Sequence, residues 1–395
     1  MKTYRVGIVG CRARGTAAAL AYTAHPRTEV VALCDLLPER LAALGEQIGV
    51  SAHFHDLDQM IERARPDIVV IATGTEFHYP LAMQALAHGV HLDIEKPLSV
   101  DLAQADTLLA EADRRGVRIA VHHQQRPGPS FQAVARALRA GRIGELRYMQ
   151  ASDKGYYGGY GLMNIGTHLI NAMFELAGAP QQVSATALTR GRPITPADVH
   201  LSPGGMGTIA GEHITATFAF AGGATGTLLL HRFPRIDKRA FHIEVLGSEG
   251  RLFWTGPAAW FLPAPHPLPG AELGDWTPLA VDPPAHFQPG SCAIDDFAYV
   301  AEYVDALDAG REHVCGGHEG RRVLEAMMGI FEAAAYGRAV ALPQADRSHP
   351  LLRWRSEAGL GPLEQKPRAY EAWMVAEGFP APERERPNKR AQAAG

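Results

Sequence analysis

The sequence predicts an α/β fold, with an N-terminal doubly wound parallel sheet and a C-terminal α+β domain whose open mixed sheet is largely antiparallel. Two observations lead to this prediction. Up to about residue 124, short apolar runs alternate with helix-length segments, as in a parallel sheet covered on both faces. Beyond residue 125, longer segments alternate apolar and polar residues, which is typical of antiparallel strands with one packed face.

The predicted elements follow this division. Strands of the first sheet are expected at residues 5–9, 30–34, 52–54, 68–72, 90–94 and 117–121. The second part is expected to hold helices over 130–140 and 319–337, a helix opening at Asn164, and strands over 146–151, 213–220, 224–231 and 241–246. Residues 254–289 lack periodicity and are interpreted as a long loop, and residues 383–395 as a frayed end. The expected domains are therefore 1–124 and 125–345, with a C-terminal extension over 346–395.

Length and composition limit the class of protein. The 395 residues exceed the roughly 250–300 at which a single hydrophobic core stops growing, which favours two domains. Hydrophobic residues make up 46% of the chain and charged residues 20%, and no apolar run reaches the length of a membrane span. The formal net charge of −4 disfavours nucleic-acid binding. We therefore expect a soluble protein with neither membrane nor nucleic-acid partners.

The N-terminus and the cysteines bear on location. Because a strand is predicted from Arg5 onward, no leader segment is expected, and the predicted location is cytoplasmic. The four cysteines are scattered, without the short spacing of a zinc or redox motif. Reduced thiols and no metal site are therefore expected.

The first predicted strand runs into a glycine-containing turn at residues 7–15. A turn between strand and helix holds a pyrophosphate on backbone N–H groups and the helix dipole. The usual spacing has three glycines, but the central position here is Arg12, which either hinders the pyrophosphate or contacts it. The same pattern also fits an ordinary tight turn. We assign cofactor binding to Gly10, Cys11, Arg12, Ala13, Arg14 and Gly15.

Asp35 ends the second predicted strand, 20 residues after Gly15. A carboxylate at this position accepts hydrogen bonds from an adenosine ribose and repels a 2′-phosphate, which favours NAD over NADP. The alternative is that Asp35 only starts the turn before Pro38. Arg40 nearby leaves NADP open as a cofactor.

Two further loops follow strands of the first sheet. The loop after 68–72 contains Thr73, Gly74 and His78, and the loop after 90–94 contains Glu95 and Lys96. Because ligands of open α/β sheets bind outside the carboxyl ends of the strands, we place both loops at the cofactor. A lysine before a proline is also common in solvated turns. Its expected position beside the nicotinamide favours a catalytic role for Lys96.

A polar stripe marks the helix that opens at Asn164. Asn164, His168 and Asn171 share one face, because residues three and four positions apart are neighbours on a helix. A single histidine on a helix is usually structural, and Asn164 also fits a helix cap. Three aligned polar residues in an otherwise apolar helix favour a site that faces a cleft.

Charged and aromatic residues elsewhere extend the candidate site. The tyrosine-rich segment before this helix suits a sugar ring, and Arg126 suits an interdomain or substrate contact. The basic turn at residues 232–239 is better explained as a solvated hairpin than as an anion site, which stays a hypothesis for acidic substrates. We assign substrate binding to Arg126, Tyr156, Tyr157, Asn164, Thr167 and Asn171.

These motifs make the chain resemble the Gfo/Idh/MocA family of glucose–fructose oxidoreductases, inositol dehydrogenases and rhizopine catabolism proteins, over roughly residues 4–343. The resemblance implies an N-terminal Rossmann domain that binds NAD, sugar or cyclitol substrates, and a homodimer or homotetramer formed through the C-terminal sheet. It also implies catalytic roles for Lys96 and His168. The acids that the family usually has four positions before and three after that histidine are Asn164 and Asn171 here.

The predicted reaction is reversible oxidation of a secondary alcohol on a sugar, cyclitol or glycoside. His168, with an ordinary imidazole pKa, would move the hydroxyl proton, Lys96 would stabilise the alkoxide, and Asn164 would orient substrate or imidazole. One alternative is redox-neutral glycoside cleavage or epimerisation through a transient keto-sugar, which a tightly held, recycled NAD would indicate. Another is a non-catalytic dinucleotide-binding regulator, which catalytic silence across a panel of sugars would indicate.

Overall fold

A computed structural model describes residues 2–266 and 276–383. Its first sheet is built from β1 (Tyr4–Val9), β2 (Thr28–Cys34), β3 (His53–Phe54), β4 (Ile68–Ile71), β5 (His91–Ile94) and β6 (Ile119–Val121). The helices between these strands are α1 (Ala13–Ala24), α2 (Pro38–Ile48), α3 (Leu57–Ala64), α4 (His78–Ala87) and α5 (Leu102–Arg115). All the pairings are parallel, in the order β3-β2-β1-β4-β5-β6. The six predicted strands and the doubly wound topology are thereby confirmed.

The second part of the chain is built around a larger sheet. Its helices are α6 (Pro129–Arg139), α7 (Gly158–Gly161), α8 (Thr167–Ala177), α9 (Ile294–Asp308), α10 (Gly317–Tyr336), α11 (Pro350–Glu357) and α12 (Tyr370–Ala376). The strands of this second part of the chain up to residue 231 are β7 (Leu146–Ser152), β8 (Pro180–Thr189), β9 (Arg192–Pro193), β10 (His200–Leu201), β11 (Thr208–Ile209), β12 (His213–Phe220) and β13 (Thr225–His231). The later strands are β14 (His242–Gly247), β15 (Arg251–Trp254), β16 (Ala259–Leu262), β17 (Thr277–Pro278) and β18 (Val340–Ala341).

The second sheet is mixed and mostly antiparallel, as predicted. Its order is β17-β16-β15-β14-β7-β13-β12-β8-β18, and β9 pairs with β8 at its side. Only the β13–β7 pairing is parallel among its described pairs. Helix α10 packs on β8 and also contacts α5 and β6, so it joins the two sheets. Within residues 2–266 and 276–383, no helix combines the length and apolarity needed to cross a lipid bilayer.

Two predicted elements differ from the structure. The interpretation of residues 254–289 as a loop is wrong in part, because β16 and β17 extend the sheet there; strands of four and two residues are too short to show periodicity. The helix expected to open at Asn164 begins at Gly158 instead. Glycine is a poor helix former, yet a Cβ on Gly158 would meet the carbonyl oxygen of Leu230 at 2.7 Å, so close packing requires glycine there.

The C-terminal extension is packed against the second part of the chain up to Glu383. Trp373 of α12 is fully buried, and its indole N–H donates to the carbonyl oxygen of Leu201 (2.9 Å). The ring of Tyr157 makes edge contacts with Trp373 and Phe379. The extension is therefore part of the folded unit. The predicted frayed end lies, apart from Glu383, outside the described residues.

Candidate active site

The turn after β1 is closed by two glycines. Gly10 has φ +89°, and a Cβ there would lie 2.6 Å from the carbonyl oxygen of Ala72. A Cβ on Gly15 would lie 1.7 Å from the carbonyl oxygen of Gly10. Side chains are therefore excluded at both positions, and the start of α1 lies tightly against the ends of β1 and β4.

The N-terminus of α1 has free hydrogen-bond donors. Ala13 is its first residue, and Arg12 occupies the N-cap position without a side-chain capping bond. The backbone of Arg12 is extended (φ −88°), so the position tolerates a side chain. The arginine is exposed, at the position where the usual spacing has glycine. First-turn N–H groups and this guanidinium are suited to a pyrophosphate.

Asp35 holds this turn from the end of β2. Its Oδ2 accepts a hydrogen bond from the N–H of Cys11 (2.7 Å), and its Oδ1 accepts one from the N–H of Leu37 (3.0 Å). Arg40 lies 3.7 Å from Oδ1. A carboxylate has about four acceptor positions, so Asp35 retains capacity for ribose hydroxyls.

Arg14 is not free to bind phosphate in this structure. Its guanidinium donates to Glu95 Oε1 (2.7 Å) and to Asp296 Oδ1 (3.1 Å). Burial raises the pKa of Glu95, but Arg14, His122 and Lys96 together outweigh burial, and the net pKa is lowered. Arg14 and Glu95, both assigned to the cofactor from sequence, therefore form a buried ion pair that links α1 to the loop after β5.

Beneath this pair lies a buried network that the sequence did not reveal. His122 lies 3.2 Å from Asp93 through Nδ1 and 3.1 Å from Asp296 through Nε2. The hydroxyls of Tyr22 and Tyr299 each donate to Asp93 at 2.9 Å. Burial alone would lower the pKa of His122, but the two carboxylates raise it to about 10. His122 is therefore a buried cation at neutral pH.

Lys96 follows β5 and reaches across to the second part of the chain. Its Nζ donates to the carbonyl oxygen of Asn164 (2.7 Å) and to Asn164 Oδ1 (2.9 Å). Burial lowers the pKa of Lys96 to about 8; Glu95 opposes this and Arg14 adds to it. The ammonium is thus held between the two sheets in a position where it loses its proton more easily than usual.

Asn164 lies within a π-helical turn, Leu162–Gly166, between α7 and α8. It is therefore not a helix cap. Such turns skip a normal helical hydrogen bond and are frequent at functional sites. The Asn164 amide nitrogen donates to the Tyr160 hydroxyl (3.2 Å), which fixes the amide so that Oδ1 faces Lys96.

His168 is one turn further along the helix. It is 9% exposed, and its Nδ1 is buried with no hydrogen-bond partner among the residues that the structure describes. Burial, with Lys96 and His123 adding to it, lowers its pKa well below the usual value. The expected ordinary imidazole pKa is therefore wrong. The ring is neutral at physiological pH and stands edge-on to His123 at 5.5 Å.

The other polar residues of this helix do not face an open cleft. Thr167 is fully buried and its hydroxyl lies 2.7 Å from His123 Nε2. Asn171 is also fully buried, and its Oδ1 accepts from the Cys315 thiol (3.7 Å). The predicted polar stripe is therefore continuous on the helix, but its far end enters the core.

Arg126 forms ion pairs within the second part of the chain. It pairs with Glu175 of α8 (2.8 Å) and with Glu319 of α10. Its side chain is largely buried. Both partners lie in the second part of the chain, so these ion pairs do not form the interdomain contact suggested by the sequence, and they leave little of the guanidinium for a substrate.

The loop after β4 is tied to the Lys96 turn. Buried His78 lies 2.8 Å from the carbonyl oxygen of Pro97 through Nδ1 and 3.4 Å from that of Thr73 through Nε2. A Cβ on Gly74 would lie 3.0 Å from the guanidinium of Arg368. His78 therefore positions the two loops relative to each other and does not reach into open space.

An aromatic wall stands beside Asn164, and one of its members comes from the C-terminal extension. Tyr160 and Tyr370 are stacked with ring centroids 4.8 Å apart, and Tyr156 contacts both edge-on at 5.3 and 5.2 Å. The Tyr370 hydroxyl accepts from the N–H of Tyr157 (2.7 Å). Tyr157 itself is buried in the core. Tyr370 was missed because nothing in its local sequence indicates its partners.

Sequence comparisons agree with this architecture. Residues 4–123 match the family described as oxidoreductase family, NAD-binding Rossmann fold, and residues 131–253 match the GFO/IDH/MocA C-terminal domain. Both parts of the chain thus match successive domains of one group of oxidoreductases. The chain belongs to the Gfo/Idh/MocA family, and its cofactor is NAD.

The individual relatives share limited sequence identity with this chain. The D-apiose dehydrogenase of Paraburkholderia graminis is 35% identical over 36% of this chain and 38% of its own length. The D-glucoside 3-dehydrogenase of Escherichia coli is 27% identical over 46% of this chain and 56% of its own length. The matched part thus spans less than two thirds of either relative. The aldose–aldose oxidoreductase of Caulobacter crescentus, solved with glycerol, superposes with a TM-score of 0.70 at 21% identity, covering 86% of this chain and 100% of that one, which supports the fold.

Proposed function

We propose that the protein is an NAD-dependent oxidoreductase that oxidises a secondary alcohol of a sugar, cyclitol or glycoside. The observation that carries this proposal is the position of Lys96, which donates to Asn164 one helical turn before the neutral His168. The relatives named as sugar dehydrogenases support the substrate class.

The residues of the glycine turn fit the cofactor. The uncapped start of α1 offers N–H groups to a pyrophosphate, and Asp35 keeps acceptor capacity for a ribose. Arg12 has no hydrogen bond from its guanidinium to another described residue, so it is free to contact phosphate. Bound NAD would supply the acceptor for the hydride of the carbinol carbon.

The protein's own residues handle the proton and the developing charge. An ammonium has three hydrogens, and Lys96 uses two of them on Asn164, which leaves one for the substrate oxygen. That hydrogen bond stabilises the alkoxide as charge develops. The neutral imidazole of His168 accepts the hydroxyl proton, and Asn164 keeps Lys96 in place but takes no proton itself.

The test is a screen of neutral and acidic sugars and cyclitols with NAD, followed by absorbance at 340 nm. We expect stoichiometric NADH formation with at least one compound, and loss of turnover in His168→Ala with NAD affinity unchanged. The reaction would be redox-neutral instead if a glycoside were consumed without net NADH. Unchanged turnover in His168→Ala would remove the role assigned to the imidazole.

A further inference from the structure

A cavity of about 400 Å³ lies beside the candidate active site. Its volume falls within the roughly 300–1,000 Å³ of small-molecule sites. It lies between the starts of α6 and α9 on one side and the loops before β14 and after β15 on the other. The lining residues that matter here are Gln125, Lys154, Lys238, Phe241 and Asp295.

Three residues that line the cavity are close, in sequence or through their charge, to residues of the candidate active site. Gln125 lies two residues after His123, which contacts the ring of His168. Asp295 precedes Asp296, which binds Arg14 of the cofactor turn. On the opposite side, Lys154 is close enough to contribute to the lowered pKa values of both Lys96 and His168. The cavity therefore borders the segments that carry the residues proposed to do the chemistry.

One end of the cavity is cationic. The Lys154 ammonium lies over the buried ring of Phe241, 5.3 Å from its centroid. Burial lowers the pKa of Lys154, and the charge of nearby Lys238 lowers it further. Within residues 2–266 and 276–383, neither ammonium forms an ion pair or a hydrogen bond. The neighbouring Asp153 offers only partial compensation, because burial raises its pKa to about 7 and it is therefore only partly ionised at neutral pH.

The other end has polar groups without partners. Asp295 forms no ion pair with any described residue, and burial, with Asp296 adding to it, raises its pKa to about 7. The Oε1 of Gln125 is buried without a hydrogen-bond partner among the described residues. An unpaired buried oxygen is unfavourable, so a ligand hydroxyl that donates to it would supply the missing hydrogen bond.

The four basic residues of the turn at residues 232–239 differ in whether they can bind a ligand in the cavity. Three of its basic residues are engaged: Arg232 with Glu212, Arg235 with Glu383, and Arg239 with Asp237. Lys238 alone among these four lines the cavity. The sequence cluster is thus neither wholly a solvated hairpin nor wholly an anion site.

We infer that the substrate is a sugar that carries an acidic group, whose negative charge binds between Lys154 and Lys238 while its hydroxyls contact Gln125 and Asp295. A neutral sugar offers no opposite charge to the half-buried Lys154 or to the exposed Lys238, whereas a carboxylate or phosphoryl group pairs with both. This inference rests on the proposed function, since it names the substrate class of the same site.

The experiment compares matched sugars on the full-length protein. We would measure kcat/KM with NAD for D-glucuronate and glucose 6-phosphate against glucose, and for D-galacturonate against galactose. In parallel, calorimetric binding of the same compounds would be measured with NADH present, which blocks oxidation. We expect an acidic sugar to be preferred at least tenfold, and the preferred acid to identify carboxylate or phosphoryl as the anion.

Variants connect the preference to the cavity. Lys154→Met and Lys238→Met should each reduce the preference about tenfold, and Lys154→Arg should retain most of it because the charge is kept. Arg239→Met removes a charge one residue away, outside the cavity lining, and should leave the preference unchanged. If Lys154→Arg lost as much of the preference as Lys154→Met and also bound glucose more weakly, the effect would come from altered packing. That result would overturn the charge argument.

The two proposals fail in different ways. Oxidation of neutral sugars without preference for an acid, or a preference that survives both lysine changes, would overturn the inference and leave the proposed function standing. Lysine-dependent binding of an acidic sugar without NAD reduction by any compound would overturn the proposed function and leave the anion site standing.

Discussion

Lys96 donates two hydrogen bonds to a single residue, Asn164, one to its backbone carbonyl oxygen (2.7 Å) and one to its side-chain Oδ1 (2.9 Å). The backbone bond does not depend on the side chain at position 164. A substitution at position 164 can therefore change only the second bond and the charge next to the ammonium.

A carboxylate at position 164 should move the pH dependence. The pKa of Lys96 is about 8, so kcat/KM should fall as pH rises through 8 if the protonated ammonium is required. Asn164→Asp places a negative charge beside it, and opposite charges shift pKa values by about 1–3 units. We expect the alkaline limb to move upward by about one unit or more. Asn164→Ala is the matched control, and equal limbs in all three proteins would exclude Lys96 as the titrating group.

The buried His122 should matter for stability in a pH-dependent way. Removing one member of a buried charged network costs about 3–5 kcal/mol, which we expect for His122→Leu in urea unfolding at pH 6. The folded pKa of about 10 exceeds the unfolded value near 6.5, so the stabilisation is complete below about pH 6.5 and is lost as pH rises towards 10. The difference between variant and wild type should therefore shrink at pH 9.5. His53→Ala, at an exposed position, should change little at either pH.

Asp35 should control the choice between NAD and NADP. Asp35→Ser removes the charge that repels a 2′-phosphate and releases Arg40, which lies 3.7 Å away, to pair with it. We expect the ratio of kcat/KM for NADP to that for NAD to rise on the order of tenfold, equivalent to about 1.4 kcal/mol. Asp35→Asn separates loss of charge from loss of the bond to Cys11. A ratio that stays constant in both variants would argue against ribose recognition by Asp35.

Tyr370 should contribute to substrate binding through its ring. Tyr370→Ala removes the partner stacked on Tyr160, and aromatic pairs contribute about 0.5–1.5 kcal/mol beyond burial. We expect KM for the sugar to rise roughly two- to tenfold, with the Kd for NAD unchanged. Tyr370→Phe keeps the stacked ring and loses only the acceptor for Tyr157 N–H, so it should stay near wild type. Equal effects of the two changes would assign the contribution to the hydroxyl.

The sequence predicted the arrangement of the loops at the first sheet better than the surroundings of the helix that carries His168. Asp35 and Lys96 each follow a short apolar strand, and parallel strands bring their carboxyl ends to one edge, so their neighbourhood follows from local pattern. The role of Arg14 did not follow, because Asp296, one of its partners, lies 282 residues away. Ion pairs of this separation leave no periodic signal in a single sequence.

The substrate side depends on tertiary packing. Asn171 shares a helical face with His168, as its spacing predicts, but α10 and the segment before it cover that end of the helix and bury it. Tyr370 and Lys154 are brought to the site by elements that are far apart in the chain. Spacing predicts which residues share a face of a helix; it does not predict what covers that face.

Arg368 binds Glu76 across 292 residues of chain, and Tyr370 stands two residues beyond it. A ribosome that has completed residue 345 has already synthesised Lys96, Asn164 and His168, but not Tyr370, the last member of the aromatic wall. The contact with Glu76 joins that last segment to the loop that follows the fourth strand of the first sheet. During synthesis, the aromatic wall is therefore completed after the residues proposed to act on the substrate.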